Sequence, residues 1–536
     1  MHSTMMQFPL TLTHIFERAG QLFGASEIVS RLPDKSLHRY RYRDFHERAR
    51  ALGGALQAAG LQTGDRVATL MWNHYAHLEA YFGIPCAGGV LHTLNLRLHA
   101  DDIGYIANHA GDRFLIVDDA LLPLYEKFRH LVKFERVFVV PLTGQPVPAG
   151  YESYEDFIRG NAVMQTPALD ERAAAGMCYT SGTTGRPKGV VYSHRALVLH
   201  SMACAMGDTL GLKQSDSLCP VVPMFHVNAW GLPFTGVMVG CKLVLPGPHL
   251  DAVSLLDLYQ AEAVTFTAGV PTIWMGILQA LEKAPAQWKL TPGMRMVVGG
   301  AAAPESMIRA FDRFNLNVLH AWGMTETTPL GTTAHIKHAL KNLPVEDQYA
   351  YRRKQGVPAP FVEVRAMTDE GNAPRDGVTM GELQVRGPWV AAGYYNLDGE
   401  DDKWTADGWF RTGDVATIDA EGYVRITDRT KDLIKSGGEW ISSLEVENAL
   451  IGHPAVQEAA VIGIAHPKWD ERPLAVIVCK SGKSVTSAEL HAYLTPQFAK
   501  FWLPDDYSFV MEIPRTSTGK MLKSKLREQF RDWQWS

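Results

Sequence analysis

The sequence predicts an α/β protein: a large N-terminal part made of helix-covered sheets, then a small β-rich stretch, then a small α+β domain. Three observations predict it. Short apolar runs with strand character recur as far as residue 300, several of them followed by helix-like stretches. After about residue 360 the texture changes to closely spaced short strands separated by Gly and Asp turns. From about Leu433 helical and strand segments alternate again.

The elements follow in order. Residues 43–61 have the spacing of an amphipathic helix, and GDRVATLMWN reads as a turn leading into a buried strand. FLIVDD (114–119), RVFVV (136–140), KLVLPG (242–247), AVTFTAGVP (263–271) and MRMVVGG (294–300) are candidates for parallel strands covered by helices on both faces. The most apolar long stretch, 229–247, is interrupted by Lys242 and two prolines and falls short of the roughly 20 residues a membrane helix needs. It is expected to be buried sheet and helix, and no integral membrane segment is expected. VEVRAMTDEGNAPRDG, GELQVRGPW and GYVRITDRT form the β-rich stretch. SLEVENALIGH and SAELHAYLTP read as helices of the last domain, EAAVIGIA and PLAVIVCK as its strands, with the boundary near residues 429–432.

A chain of 536 residues has room for two to four folding units. Hydrophobic residues make up 46%, charged residues 20%, and the net charge is −5, which excludes a disordered acidic chain and a basic nucleic-acid binder. The six cysteines are scattered, with no CxxC pair and no zinc-ligand spacing, as expected of reduced core thiols in a cytoplasmic protein. The N-terminus lacks the basic start and apolar run of a signal peptide.

The chemistry is concentrated in YTSGTTGRPKGV (179–190), directly after an apolar run. Thr180, Ser181, Thr183 and Thr184 supply hydroxyls, Gly182 and Gly185 supply backbone freedom, and Lys188 supplies a cation. Such a loop can wrap a polyphosphate with N–H and O–H groups while the lysine neutralises charge. It is not the Walker form, because Arg186 and Pro187 separate Gly185 from Lys188, so a P-loop kinase or ATPase is disfavoured.

With GMTET (323–327), RTGD (411–414), DRTKDLIKSGGEW (428–440) and PRTSTGK (514–520), this loop makes five blocks in one order over about 340 residues. The chain thereby resembles the adenylate-forming superfamily of acyl-CoA synthetases, luciferases and peptide-synthetase adenylation domains. PMFHVNAWGLP (223–233) and IKSGGEWIS are most similar to bacterial fatty-acyl-CoA synthetases and 3-methylmercaptopropionyl-CoA ligases. The resemblance implies an AMP-binding domain over 1–430, a hinge at 431–432 and a lid domain over 433–536. The fold it implies has two helix-covered sheets plus a β-barrel-like subdomain in the large domain, and a small, mobile α+β C-terminal domain.

The resemblance also implies roles. Two anions, a carboxylate and the α-phosphate of ATP, must be brought together, so cations are required. Glu326 and Thr183 would hold Mg²⁺, Thr325 would contact the α-phosphate, and Lys520 would bridge the carboxylate and ATP oxygens during adenylation. Asp414 would accept the ribose hydroxyls, with Arg429 as a second ribose or phosphate contact. Adenine would rest among Gly300, Ala301 and Ala302, beside Ala321 and Gly323, and against Trp322, where the family usually carries Tyr. Lys431 matches the hinge about which the lid rotates between half-reactions. Lys435, Gly437, Gly438 and Trp440 would line the channel for coenzyme A.

The acyl pocket is assigned to His226, set near the substrate carboxylate, with Val227, Trp230, Gly299, Trp322 and Leu330; Val298 is expected as a further apolar neighbour. These favour an alkyl chain over a charged amino acid. The expected function is an ATP-dependent acid–thiol ligase for a medium- to long-chain fatty acid. Alternatives are a short-chain or 3-methylmercaptopropionate ligase, an adenylation enzyme loading a carrier protein, and a non-catalytic nucleotide-binding regulator. A homodimer is expected from the resemblance alone.

Overall fold

The computed structural model describes residues 1–160, 163–180, 186–397, 399, 401–436, 439–515 and 521–535, with the backbone alone for Asp401 and Glu439. Among them the strands form four sheets, of nine, seven, five and five strands. Successive side chains of a strand point to opposite faces, so alternation decides how the layers stack. In Lys242–Leu245, Leu243 and Leu245 enter one buried apolar cluster and Val244 another; in Arg295–Val298, Val297 enters the first and Met296 and Val298 the second.

The first cluster fills the space between the nine- and seven-stranded sheets with helices Leu12–Leu22, Tyr42–Ala58, Tyr75–Cys86, His194–Ala205 and Leu232–Val239. Ala252–Ala261, Pro271–Lys283 and Glu305–Asp312 cover the outer face of the nine-stranded sheet, and Ala100–Ala110 and Leu122–Phe128 that of the seven-stranded one. The arrangement is five layers deep, helix and sheet in turn. At the centre of the larger sheet Asn317–Gly323, Arg295–Val298, Phe266–Gly269, Ser217–Pro220, Lys242–Leu245 and Glu27–Arg31 run parallel, and the apolar runs predict three of these six, Arg295–Val298, Phe266–Gly269 and Lys242–Leu245. The helix expected over 43–61 spans Tyr42–Ala58. It starts where the Asp44 carboxylate accepts the Arg41 N–H at 2.8 Å, buries Phe45, Ala49, Leu52 and Leu56, and stops before Gly60, whose φ of 95° reverses the chain.

The β-rich stretch is an antiparallel sheet in the order Gly371–Asn372, Glu363–Thr368, Gly381–Arg386, Phe410–Ile418, Val424–Arg429. Its two end strands are not paired with each other among the described residues. The last sheet joins Glu439–Ile441, Ile434–Ser436, Asp470–Cys479, Val456–His466 and Asp506–Phe509, packed on Ser443–Ile451 and Ser487–Leu494. Its apolar clusters begin at Ile434, and those of the first three sheets end at Ile426. Polar contacts cross the gap instead. Ser442 Oγ donates to the Thr427 carbonyl, Ser443 N donates to Asp428 Oδ2 at 2.7 Å, Arg425 meets Glu445 at 2.9 Å and Arg527 meets Asp432 at 2.6 Å. Cys86, Cys178, Cys204, Cys219 and Cys241 are free and buried and Cys479 is free and half-buried. No helix of the described residues is long and apolar enough to cross a membrane.

Candidate active site

A cavity of about 820 Å³ lies at the carboxyl ends of the parallel strands, the place where open α/β sheets leave a crevice. Residues 221–222, 269–271 and 299–302, which follow or end three of those strands, build one wall with 321–323. The β-rich sheet supplies the facing wall through 410–414 and 428–430, and the last sheet's body closes one side with Leu444, Glu447 and Lys523.

The hydroxyl-rich loop joins two antiparallel strands, Ala174–Tyr179 and Gly189–Ser193. Its base is closed by Thr180 N donating to the Lys188 carbonyl at 2.9 Å and Lys188 N donating to Thr180 Oγ1 at 3.1 Å. Ser181, Gly182, Thr183, Thr184 and Gly185 lie outside the described residues. The loop returns into a strand, whereas a Walker loop opens a helix, in keeping with its sequence. Lys188 Nζ lies 5.1 Å from the centre of the Tyr394 ring, and the Tyr394 hydroxyl donates to Glu326 Oε1 at 2.7 Å. Thr325 and Glu326 sit on a single tight turn, Thr325–Thr327, held from behind by the Tyr192 hydroxyl on the Thr325 carbonyl at 2.8 Å. Arg97 and Arg186 line the same cavity.

Gly300 (φ 79°), Ala301, Ala302, Ala321, Trp322 and Gly323, which the resemblance assigns to adenine, line the cavity. Trp322 Nε1 donates to Asp414 Oδ2 at 2.9 Å, and Arg429 Nε stands 3.4 Å from Asp414 Oδ1. The indole packs against Gly331, where an added Cβ would come within 2.5 Å of the ring.

His226, Val227, Trp230, Gly299 and Leu330 also line the cavity. Val227, Asn228, Ala229 and Trp230 all have left-handed backbone (φ 45°, 50°, 47° and 59°), followed by Gly231 at 71°. Cys178 Sγ donates to Asn228 Oδ1 at 3.2 Å and Ala229 N donates to the Pro223 carbonyl at 3.2 Å, which holds this turn against the sheet. Trp230 presses on Gly299, where an added Cβ would lie 2.9 Å from the indole. His200 Nε2 accepts the Leu330 N–H at 3.2 Å; burial pushes this imidazole down to about 3, so it stays neutral. Val298 is corrected: it points away from the cavity into the outer cluster, and Val297 takes the inner position, because neighbours on a strand face opposite ways.

Lys431 lines the cavity; Lys435 and Trp440 do not. They face each other across the hairpin Ile434–Ser436 and Glu439–Ile441, with Nζ 5.8 Å from the ring centre, and Trp440 is 44% exposed. Gly437, Gly438 and Lys520 lie outside the described residues. Arg515 and Met521, which flank 516–520, are bridged to each other and line the cavity. Next to them the half-buried Lys523 places Nζ 2.6 Å from both Glu447 Oε1 and Ser443 Oγ; burial pushes the Glu447 carboxyl up to about 7 against the pull of this lysine. Sequence reasoning missed Arg97, Tyr394, Glu447 and Lys523, since none belongs to a block whose spacing marks it.

Among the described residues no three His, Cys, Asp or Glu side chains come together as a metal cage. Mg²⁺ is usually held by one or two carboxylates plus substrate phosphates, and the buried Glu326 beside Lys188 and Tyr394 fits that donor set.

The model of the AMP-binding enzyme family matches residues 16–395, and that of the AMP-binding enzyme C-terminal domain matches residues 445–520. The chain is 51% identical to a long-chain-fatty-acid–CoA ligase of Thermus thermophilus, over 99% of this chain and 97% of the relative. It is 47% identical to a 3-methylmercaptopropionyl-CoA ligase of Ruegeria pomeroyi, over 98% of each, and 44% identical to a medium-chain-fatty-acid–CoA ligase of Ectopseudomonas oleovorans, over 98% and 97%. An anthranilate CoA ligase in complex with anthranoyl-AMP superposes with a TM-score of 0.86 at 27% identity, covering 98% of each chain. ATP-bound MatB from Rhodopseudomonas palustris gives 0.81 at 27% identity over 98% and 99%. Matched along nearly its whole length, with a nucleotide-fitting wall and an apolar wall in one cavity, the chain belongs to the AMP-binding enzyme family.

Proposed function

We propose that this enzyme is an ATP-dependent, AMP-forming acid–CoA ligase for a medium- to long-chain fatty acid. The observation that carries the reading is the meeting of two surfaces in one cavity. Lys188, Glu326 and the Trp322–Asp414 pair line one part, and Val227, Trp230 and Leu330 line the adjoining part. The first suits a nucleotide triphosphate and the second an alkyl chain. The long- and medium-chain ligases at 51% and 44% identity support the fatty acid, and the relative at 47% favours 3-methylmercaptopropionate as the second reading.

In the first half-reaction a carboxylate oxygen attacks the α-phosphorus and pyrophosphate leaves. In the second the CoA thiolate attacks the acyl carbonyl and AMP leaves. Thr180, Ser181, Gly182, Thr183, Thr184, Gly185 and Lys188 cradle the leaving phosphates, Thr325 contacts the α-phosphate, and Lys520 draws carboxylate and phosphate together. Mg²⁺ held by Glu326 and Thr183 would supply positive charge to the phosphates. Gly300, Ala301, Ala302, Ala321 and Gly323 border the base, Asp414 and Arg429 take the ribose, and His226 stands beside the substrate carboxylate. Residues 433–536 act as a lid turning at 431–432 on the body 1–430. With Arg515 and Met521 on the cavity wall and Lys435 and Trp440 away from it, the present arrangement suits adenylation. Rotation would bring Lys435, Gly437, Gly438 and Trp440 to the thiol's path. We place the enzyme in the cytoplasm, as a homodimer.

The test is acid-dependent exchange of labelled pyrophosphate into ATP, with AMP as the nucleotide product, over straight-chain acids from propionate to palmitate, 3-methylmercaptopropionate and aryl acids. The best rates are expected with medium to long chains, with free CoA consumed; ADP and orthophosphate as products would overturn the reading. Binding of ATP without turnover of any acid would favour a regulator, and failure to consume free CoA a carrier-loading enzyme. Lys520→Ala is expected to abolish the first step and spare thioester formation from supplied acyl-AMP.

A further inference from the structure

Trp322 ends a strand of the nine-stranded sheet and Asp414 lies on a strand of the β-rich sheet, so their hydrogen bond ties the two walls of the cavity together. Both are nearly buried, at 8% and 5% exposure, and a bond from N–H to a shielded carboxylate is of the strong, charge-assisted kind. Neither partner has much freedom to yield. The indole packs so closely on Gly331 that an added Cβ would lie 2.5 Å from it, and Asp414 follows Gly413 (φ 73°) in a strand bulge where its own N–H donates to Thr412 Oγ1 at 3.0 Å. A carboxylate has about four lone-pair sites, so the indole N–H on Oδ2, with Arg429 Nε 3.4 Å from Oδ1, restrains its orientation and leaves capacity for further donors from the cavity. A ring needed for stacking alone would require no N–H at this place.

We infer that Trp322 is a positioning residue for the ribose. Its indole N–H holds the Asp414 carboxylate ready for the sugar hydroxyls, and the pair thereby sets the enzyme's preference for ribonucleotides over sugars lacking those hydroxyls. This rests on the ligase reading for the identity of the nucleotide, and its test does not require turnover.

Calorimetric binding of AMP and of 2′,3′-dideoxy-AMP to the wild type and to Trp322→Phe reads it directly. The wild type is expected to prefer AMP, and the variant to bind AMP about tenfold more weakly with dideoxy-AMP affinity changed less than threefold, so the preference shrinks about tenfold. Replacement of Trp322 by benzothienylalanine, which keeps the indole shape and substitutes sulfur for N–H, is expected to do the same and serves if the Phe variant does not fold. In pyrophosphate release both variants should raise the KM for ATP about tenfold with kcat within threefold. Equal weakening of both nucleotides, an unchanged preference, or a wild type that does not distinguish them would overturn the inference. A wild type that discriminates by binding and never releases pyrophosphate would count against the ligase reading alone.

Discussion

Glu326 depends on Tyr394 for its direction. The phenol donates to one carboxylate oxygen at 2.7 Å and stands under the Lys188 ammonium, so one side chain orients an acid and packs against a base. A hydrogen bond to a charged group contributes roughly 1.5–3 kcal/mol. Tyr394→Phe should therefore lower the rate of pyrophosphate release by about 10- to 100-fold while leaving thioester formation from supplied acyl-AMP within about twofold; equal loss in both half-reactions would contradict this. Glu326 and Lys188 can be read in the sequence because each sits in a short block with its own spacing. Tyr394 cannot, since it is 68 positions from Glu326 and only the fold brings them together. Arg97, on the same cavity, carries no local signal either.

The turn from Val227 to Gly231 shows where element-level reading fails. Asn228 and Gly231 tolerate left-handed backbone, but Val227, Ala229 and Trp230 do not, at a cost of about 1–2 kcal/mol for each such residue. Nothing in the apolar run forecasts the conformation; the sheet end, Cys178 and the Pro223 carbonyl impose it. Ala229 is fully buried with a φ of 47°, and a β-branched side chain there would meet both restrictions at once. Ala229→Val is expected to lower unfolding free energy by about 2 kcal/mol in denaturant titration, and to raise the KM for the acid more than that for ATP. The parallel strands were legible because Val, Leu and Met mark both buried faces. Phe410–Ile418 was not, because Arg411, Thr412, Gly413 and Asp414 spend its first half on the cavity.

At the scale of the molecule, burial keeps several imidazoles neutral. It pushes His77 and His200 down to about 3 and His194 and His320 down to about 4. Below about pH 6.5 the unfolded chain binds protons that the folded one refuses, so stability falls with pH until the folded values are reached. Each such group contributes about 1.4 kcal/mol per pH unit in that window. Glu447, held up to about 7, acts in the opposite sense between its unfolded value and 7. Denaturant midpoints should therefore fall from pH 6.5 to pH 5, and His200→Gln should flatten the slope by about one histidine's share; an unchanged slope would contradict it. Parallel strands in helix-covered sheets were legible from the apolar runs, and two such sheets from the family resemblance, but the order of the five layers was not, and the seam near residue 430 showed only as a change of texture. That seam has a mechanical meaning. No buried apolar cluster of the described residues crosses it, and Ser442, Ser443, Glu445 and Arg527 hold it by contacts that water can replace in kind. It is a clasp rather than a weld: undoing it wets little oil, so parting the two halves requires unpacking neither.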